Sequence, residues 1–241
     1  MSNMVKSIVF ALVTAVVCSL LLTAASAGLK GFQRENVEVD QKKNILRAVG
    51  LIQEETPYTK AAIKQIYADN IQAFHVSHDG AIVDRNAPAK NTLPIYVYVK
   101  NDKIESYIIP INSSGLWGRI LGYLALENDG STIAGFTVYK HSETPGLGGE
   151  IEKRWFQKNF KGKKILDRHG NFVSISIAKG ALSPSFPKEK RPNYVDGISG
   201  ATLTGKYLTA GLKSALRTYE PVSIKFRTKQ MLRWKGHQET K

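Results

Sequence analysis

The chain has a single cysteine, Cys18, in 241 residues. That scarcity excludes an internal disulfide, a CxxC redox pair, and any cysteine-ligated iron–sulfur or zinc centre supplied by this chain alone. Acidic residues are also few: Asp+Glu 20 against Lys+Arg 34 leaves a net charge of +14. Such an excess suits anionic partners, namely nucleic acid, an acidic protein face or an anionic membrane surface. No repeat of roughly 20–50 residues recurs, so solenoids and propellers are out. The rest is ordinary globular composition, 42% hydrophobic and 22% charged, which excludes collagen-like and fully disordered chains.

Charge is absent altogether from residues 7–29, between Lys6 and Lys30. As a helix this stretch reaches about 34 Å at about 1.5 Å per residue, enough for a hydrocarbon core of about 30 Å. A retained anchor fits the length best. A cleavable signal peptide is the other reading, with Ala25-Ser26-Ala27 as a small-residue cleavage site. A lipoprotein signal needs a small residue before Cys18, where Val17 stands, so Cys18 reads as an apolar residue in lipid. Lys6 lies upstream, and Lys30, Arg34, Lys42, Lys43 and Arg47 lie downstream. That count alone would keep the following domain in the cytoplasm, although long domains translocate regardless of charge.

Apolar spacing at Ile45, Leu46, Val49 and Ile52 predicts a short amphipathic helix, with Asp40 as N-cap and Gly50 as stop. A second helix is expected over residues 61–71. Alternating runs at 93–99 and 104–111 flank the turn Asn101-Asp102, and runs at 121–126 and 133–139 flank Asn128-Asp129-Gly130. Residues 150–160 read as helix, 172–178 as strand, and 203–219 as a helix with Leu208, Leu212, Ala215 and Leu216 inward. Hairpins in the middle and helices at the ends give an α+β class: a mostly antiparallel sheet with flanking helices, behind one N-terminal transmembrane helix. Residues 221–241, with Lys225, Arg227, Lys229, Arg233, Lys235 and Lys241, read as a solvated basic tail.

The histidines are scattered, with no HExxH, and carry no metal site. Gly200 to Lys206 satisfies GxxxxGK, but Tyr207 stands where a P-loop needs Ser or Thr for magnesium. The same stretch, Asp196-Gly197-Ile198-Ser199-Gly200-Ala201-Thr202, sets small residues around a hydroxyl just before a helix. At the least this is a capped helix start. The same free amides and partial positive charge also suit a phosphate, and Gly200 and Ala201 leave Thr202 accessible. The other unusual stretch, Glu143-Thr144-Pro145-Gly146-Leu147-Gly148-Gly149-Glu150, offers bare backbone and one bulky apolar group, Leu147. It is a tight turn before a helix, or a surface for a flat ring.

Taken together, these two stretches, the apolar segment, Lys43-Asn44-Ile45-Leu46, Gly115-Leu116-Trp117-Gly118 and Gly122-Tyr123-Leu124-Ala125-Leu126 resemble the covalent FMN-binding domain family. Within it they look most like the C-subunits of the Na+-translocating NADH:quinone reductases; the G-subunits of Rnf-type ferredoxin:NAD+ oxidoreductases are the near alternative. Gly205-Lys206 after Thr204 departs from the family pattern, past the acceptor. The resemblance implies FMN joined by a phosphoester to Thr202, with Ser199, Gly200 and Ala201 among the cofactor-binding residues, installed by a flavin transferase that recognises Asp196 and the small residues of this stretch. It nominates Trp117, Thr144 and Leu147 for the ring, with Ser199 near the phosphate. It implies no catalytic residue and no metal in this chain.

The flavin would relay electrons from NADH-derived iron–sulfur and flavin centres toward ubiquinone, coupled to sodium export. Such a subunit belongs to an NADH:ubiquinone reductase and is inactive alone. Its partners would be the other subunits, the transferase and membrane lipid, with no nucleic acid. The implied place is the bacterial inner membrane, single-pass, with the flavin domain on the periplasmic side, against the bare charge count. Domain limits follow: 1–6 a short tail, 7–29 the transmembrane helix, 30–56 a helical linker, 57–220 the FMN-binding domain and 221–241 the basic tail. A cofactor-free, membrane-anchored structural subunit would explain the anchor but neither loop.

Overall fold

A computed structural model describes residues 3–53, 55–83 and 92–231. The chain divides into two compact units at Asp40/Gln41. The first is part of helix α1 (Asn3–Ala48), whose most apolar stretch has a mean hydropathy of 2.6 and is long and apolar enough to cross a membrane. Its exposed faces include Phe10, Leu12, Val16, Leu21 and Leu22, which suits a lipid solvent.

The second unit is built on a six-stranded antiparallel sheet in the order β2-β1-β3-β4-β5-β6. Its strands are β1 (Ile71–Val76), β2 (Ile82–Val83), β3 (Leu93–Lys100), β4 (Lys103–Ser114), β5 (Arg119–Glu127) and β6 (Ile133–Lys140). The β3–β4 turn places both Asn101 and Asp102 at positive φ, 50° and 57°, the pair of left-handed residues a two-residue hairpin requires. One face carries the main core, in which Tyr107, Ile109, Ile111, Leu124, Phe136 and Val138 meet Leu208, Leu212 and Leu216 of helix α4 (Thr202–Thr218). Helix α4 crosses β4 closely: a Cβ on Gly211 would lie 2.1 Å from the Ser113 Oγ. Ser113 donates in turn to the Tyr207 carbonyl at 3.0 Å.

Strand alternation sends Thr137 to the opposite face from Phe136 and Val138. There its hydroxyl donates to the Asn44 carbonyl, 3.2 Å away, in the last turns of α1. Ile45 and Leu46 beside it, and Ile63 of α2 (Lys60–Asn70), are buried outside the main core. The sheet is therefore covered on both faces, the α+β arrangement expected from the sequence.

Several expected elements differ in detail. Asp40 lies inside α1 rather than capping a separate helix, because nothing between residues 29 and 40 breaks the helical hydrogen-bond ladder. The stop at Gly50 holds, at φ +74°. Residues 150–160 form a 3-10 turn at Gly148–Glu152, a single turn of α3 (Arg154–Gln157) and a second 3-10 turn at Lys158–Phe160, instead of one helix. The strand expected at 172–178 shrinks to β7 (Ser176–Ile177), since Ser174 adopts φ +71°; β7 pairs in parallel with β8 (Tyr194–Val195). Strand β1 follows α2 directly, where extended Ile71 ends the helix.

The solvated tail expected from Pro221 is corrected over its first part. Helix α5 (Glu220–Arg227) buries Val222, Ser223 and Phe226 in the core. The buried pair Val222 and Phe226 stands four apart on one side of the helix, while Ile224 is exposed. Arg233, Lys235 and Lys241 of that expected tail lie outside the described residues.

Candidate functional site

Three segments distant in sequence meet at one end of the sheet. The β4–β5 connection brings Leu116 and Trp117, the segment after β6 brings Glu143 to Gly148, and the entry to α4 brings Gly200 to Thr204. They line a shallow cleft of about 190 Å³. Trp117, Thr144, Leu147, Gly200, Ala201 and Thr202, nominated from the sequence, all stand in its wall. A larger hollow, about 440 Å³, opens around Asp167, His169, Ser174 and Tyr194, and holds none of the nominated residues. The smaller cleft is the one that gathers the nominated residues.

Its rim is apolar and wet: Trp117 is 69% exposed, Leu203 48%, Leu147 44% and Leu116 43%. Four large apolar groups around one cleft form a surface that a flat, partly apolar ligand would cover. Thr202 opens α4 from an exposed position, and its hydroxyl makes no hydrogen bond within the described residues. Ala201 at the N-cap has no side chain to offer, and no acidic residue occupies the first turn. The leading amides of this 17-residue helix are thus left for an acceptor from elsewhere. Gly200 holds φ +76°, a backbone conformation that favours glycine, and a Cβ there would meet only the end of the exposed Leu147 side chain, at 2.9 Å.

Ser199 is exposed one residue before Gly200 and does not line the cleft. Asp196 also stands outside the cleft, where its carboxylate accepts from the Leu182 amide at 2.7 Å. A Cβ on Gly197 would sit 1.9 Å from the Ala178 carbonyl, so Asp196-Gly197 docks this segment against residues 178–182. Within the GxxxxGK match, Gly205 packs against Ile177 and Lys206 is exposed.

Leu116, Glu143, Gly148, Leu203 and Thr204, none of them nominated as a site residue from the sequence, complete the wall. Glu143 is 4% exposed; its Oε2 accepts from the Thr204 hydroxyl at 2.5 Å and its Oε1 from the Trp117 amide at 3.0 Å. The Glu143 amide donates to His141 Nδ1 at 3.1 Å, and the other ring nitrogen lies 3.1 Å from Glu152. The Lys153 ammonium and then His141 hold the Glu152 carboxyl below its ordinary range, against the opposing effect of burial. The one sequence signal for Glu143 was an acidic residue leading the glycine-rich loop.

An exposed hydroxyl on an uncapped helix start, beside an apolar rim, suits a phosphate-bearing ring cofactor, and the FMN-binding domain family matches residues 115–217. The match covers all three cleft segments. The chain is 33% identical over 231 residues to the C-subunit of the Na(+)-translocating NADH-quinone reductase of Yersinia pestis, covering 83% of each. It is 34% identical over 228 residues to the Pasteurella multocida C-subunit, covering 81% of this chain and 83% of that one. The crystal structure of the Parabacteroides distasonis C-subunit superposes with a TM-score of 0.68 at 31% identity, covering 81% of this chain and 96% of that chain. Shewanella oneidensis NqrC shares the fold, with a TM-score of 0.59 at 24% identity over 78% of this chain. This chain belongs to the C-subunit family of the Na+-translocating NADH-quinone reductases.

Proposed function

We infer that this chain is the FMN-carrying electron-transfer subunit of a membrane-bound Na+-translocating NADH:quinone reductase, passing electrons toward quinone as one member of the complex. The reading rests on the relatives and on a cleft built by the segments that the FMN-binding domain family spans. That these relatives are C-subunits of the quinone reductase favours this over an Rnf-type subunit, and the FMN-binding domain match favours it over a cofactor-free structural role. Helix α1, the one helix among the described residues long and apolar enough to cross a membrane, would supply the anchor.

The finer reading is that FMN is esterified through its phosphate to the Thr202 hydroxyl by a separate flavin transferase, with Asp196 and the small residues recognised during loading. One observation carries it: Thr202 is exposed and unbonded at the head of an uncapped helix. Its amides would face the phosphate, Ser199 stands close by in sequence, and Trp117, Thr144 and Leu147 would hold the ring. FMN supplies reversible electron uptake and release; the chain supplies place and electrostatics. The domain would lie on the periplasmic face of the inner membrane, beside lipid and the other subunits.

Coexpression with a flavin transferase tests the attachment. A fluorescent flavin band should survive a denaturing gel in the parent, vanish in Thr202→Ala and persist in Thr204→Val. A band that survives Thr202→Ala and vanishes in Thr204→Val would move the acceptor two residues along.

A further inference from the structure

We propose that Glu143 is a positioning residue whose buried carboxylate locks the cleft together and lowers the midpoint potential of the flavin held there; the second half rests on the FMN reading above.

The lock is visible in two hydrogen bonds. One oxygen of Glu143 holds the Trp117 amide at 3.0 Å and the other holds the Thr204 hydroxyl at 2.5 Å, so one side chain ties all three cleft segments. The neighbours leave room for nothing else. A Cβ on Gly115 would lie 2.5 Å from Glu143 Oε1, and one on Gly148 would lie 2.9 Å from Oε2 and 2.5 Å from the Thr204 Oγ1. Two of the loop glycines are therefore explained by this carboxylate rather than by backbone freedom, since neither has a positive φ.

The charge follows from the donors. A carboxylate that receives one N–H and one O–H is an acceptor at both oxygens, the role of the ionised form. Among the described residues no lysine or arginine pairs with it. Its compensation is the start of α4: Thr204 is the third helical residue, and α4 has neither a side-chain cap nor an acid in its own first turn. Glu143 supplies from another loop the negative charge that a helix N-terminus favours.

A negative charge held in a poorly solvated wall disfavours placing a further electron alongside it. The same helix end would also serve the phosphate on Thr202, so the two anions share one set of dipoles. Both effects push in one direction, toward a lower potential.

The test uses the full-length chain in detergent, coexpressed with the transferase, with midpoint potentials measured by spectroelectrochemical titration at one fixed pH. Glu143→Gln keeps the shape and removes the charge. The flavin band in the denaturing gel should remain, while the midpoint potential should rise above the parent's. A retained band with an unchanged potential overturns the proposal. Absence of the band in the parent instead sinks the FMN reading, so the two failures are distinct. If Glu143→Gln does not fold, Thr204→Val gives the second arm. Without that hydroxyl the carboxylate loses its link to the start of α4 and its charge is less compensated, so at the same pH the midpoint potential should fall below the parent's. A potential equal to the parent's overturns the proposal there too.

Discussion

Tyr107 and Phe226 stack face to face, ring centroids 4.2 Å apart and planes 8° from parallel, joining the central strand to the helix that follows α4. The Tyr107 hydroxyl also donates to the Ser223 Oγ at 2.8 Å. Burial pushes the Tyr107 phenol well above its ordinary range, and the Ser223 bond only partly offsets this. Two turn glycines hold the same helix from outside: a Cβ on Gly80 would meet the Pro221 carbonyl carbon at 2.8 Å, and one on Gly130 the Ser223 carbonyl oxygen at 2.4 Å. Helix α5 is a structural part of the domain.

Phe226→Ala should therefore cost about 3–5 kcal/mol of stability, the usual range for emptying a buried aromatic site. Denaturant unfolding of the purified chain measures it. A loss below about 1 kcal/mol would mean that the helix contributes little and can be removed.

Gly148→Ala should lower the melting temperature although its φ is not positive. The added methyl would strike the Thr204 hydroxyl and the Glu143 carboxylate from the cleft side. Gly162→Ala, where nothing lies within 4 Å, separates this clash from backbone strain, because Gly162 has φ +77°. If Gly148→Ala melts like the parent, whatever Gly162→Ala does, the close packing around Glu143 is wrong.

Leu147→Ala and Trp117→Ala should keep the flavin band in a denaturing gel while shifting the flavin absorption spectrum. Both side chains are exposed on the cleft rim, so neither change should cost much stability. Two parent-like spectra would place the ring elsewhere and leave only the tether at Thr202.

Acid should unfold this domain partly through Asp129. Burial would raise its carboxyl, but the Thr132 hydroxyl and the Thr132 and Ser131 amides outweigh it and bring the group down to about 2. A depressed folded value means the stabilisation is fully present above the unfolded carboxylate range and fades as pH falls from about 4 toward 2. The side chain is 41% exposed, so solvent screening reduces the effect to about 1 kcal/mol. Asp129→Asn should flatten stability against pH in that window, as read by urea midpoints at successive pH values.

Orientation is open to a labelling experiment that the lone cysteine makes simple. With Cys18→Ala removing the native thiol, Lys179→Cys places a single thiol at an exposed site on the domain. A membrane-impermeant maleimide should label it in intact cells if the domain is periplasmic. Labelling only after lysis would put the domain inside, where the bare charge count points.

What could be read from the sequence was whatever is periodic or local. The β3–β4 hairpin announced itself through alternating side chains around Asn101-Asp102, and α4 through leucines on one face. The two loops that line the cleft stood out because glycine-rich segments beside a hydroxyl are unusual. The Glu143–Thr204 bond was not legible, since it joins positions 61 residues apart with no repeating signal between them. Helix α5 was hidden for another reason: Val222 and Phe226 share it with Lys225 and Arg227, and charge dominated the reading of a segment so short.

The exposed, unbonded hydroxyl at the head of α4 has a consequence for the order of events in the life of this chain. No packed layer has to open for a second enzyme to reach Thr202, and the loop glycines already hold the neighbouring segments in place. If FMN is esterified there, as proposed, attachment can therefore come last, on a finished fold. On that reading the interior would not depend on the cofactor for its cover, because Leu208 and Leu212 are fully buried among the protein's own core side chains.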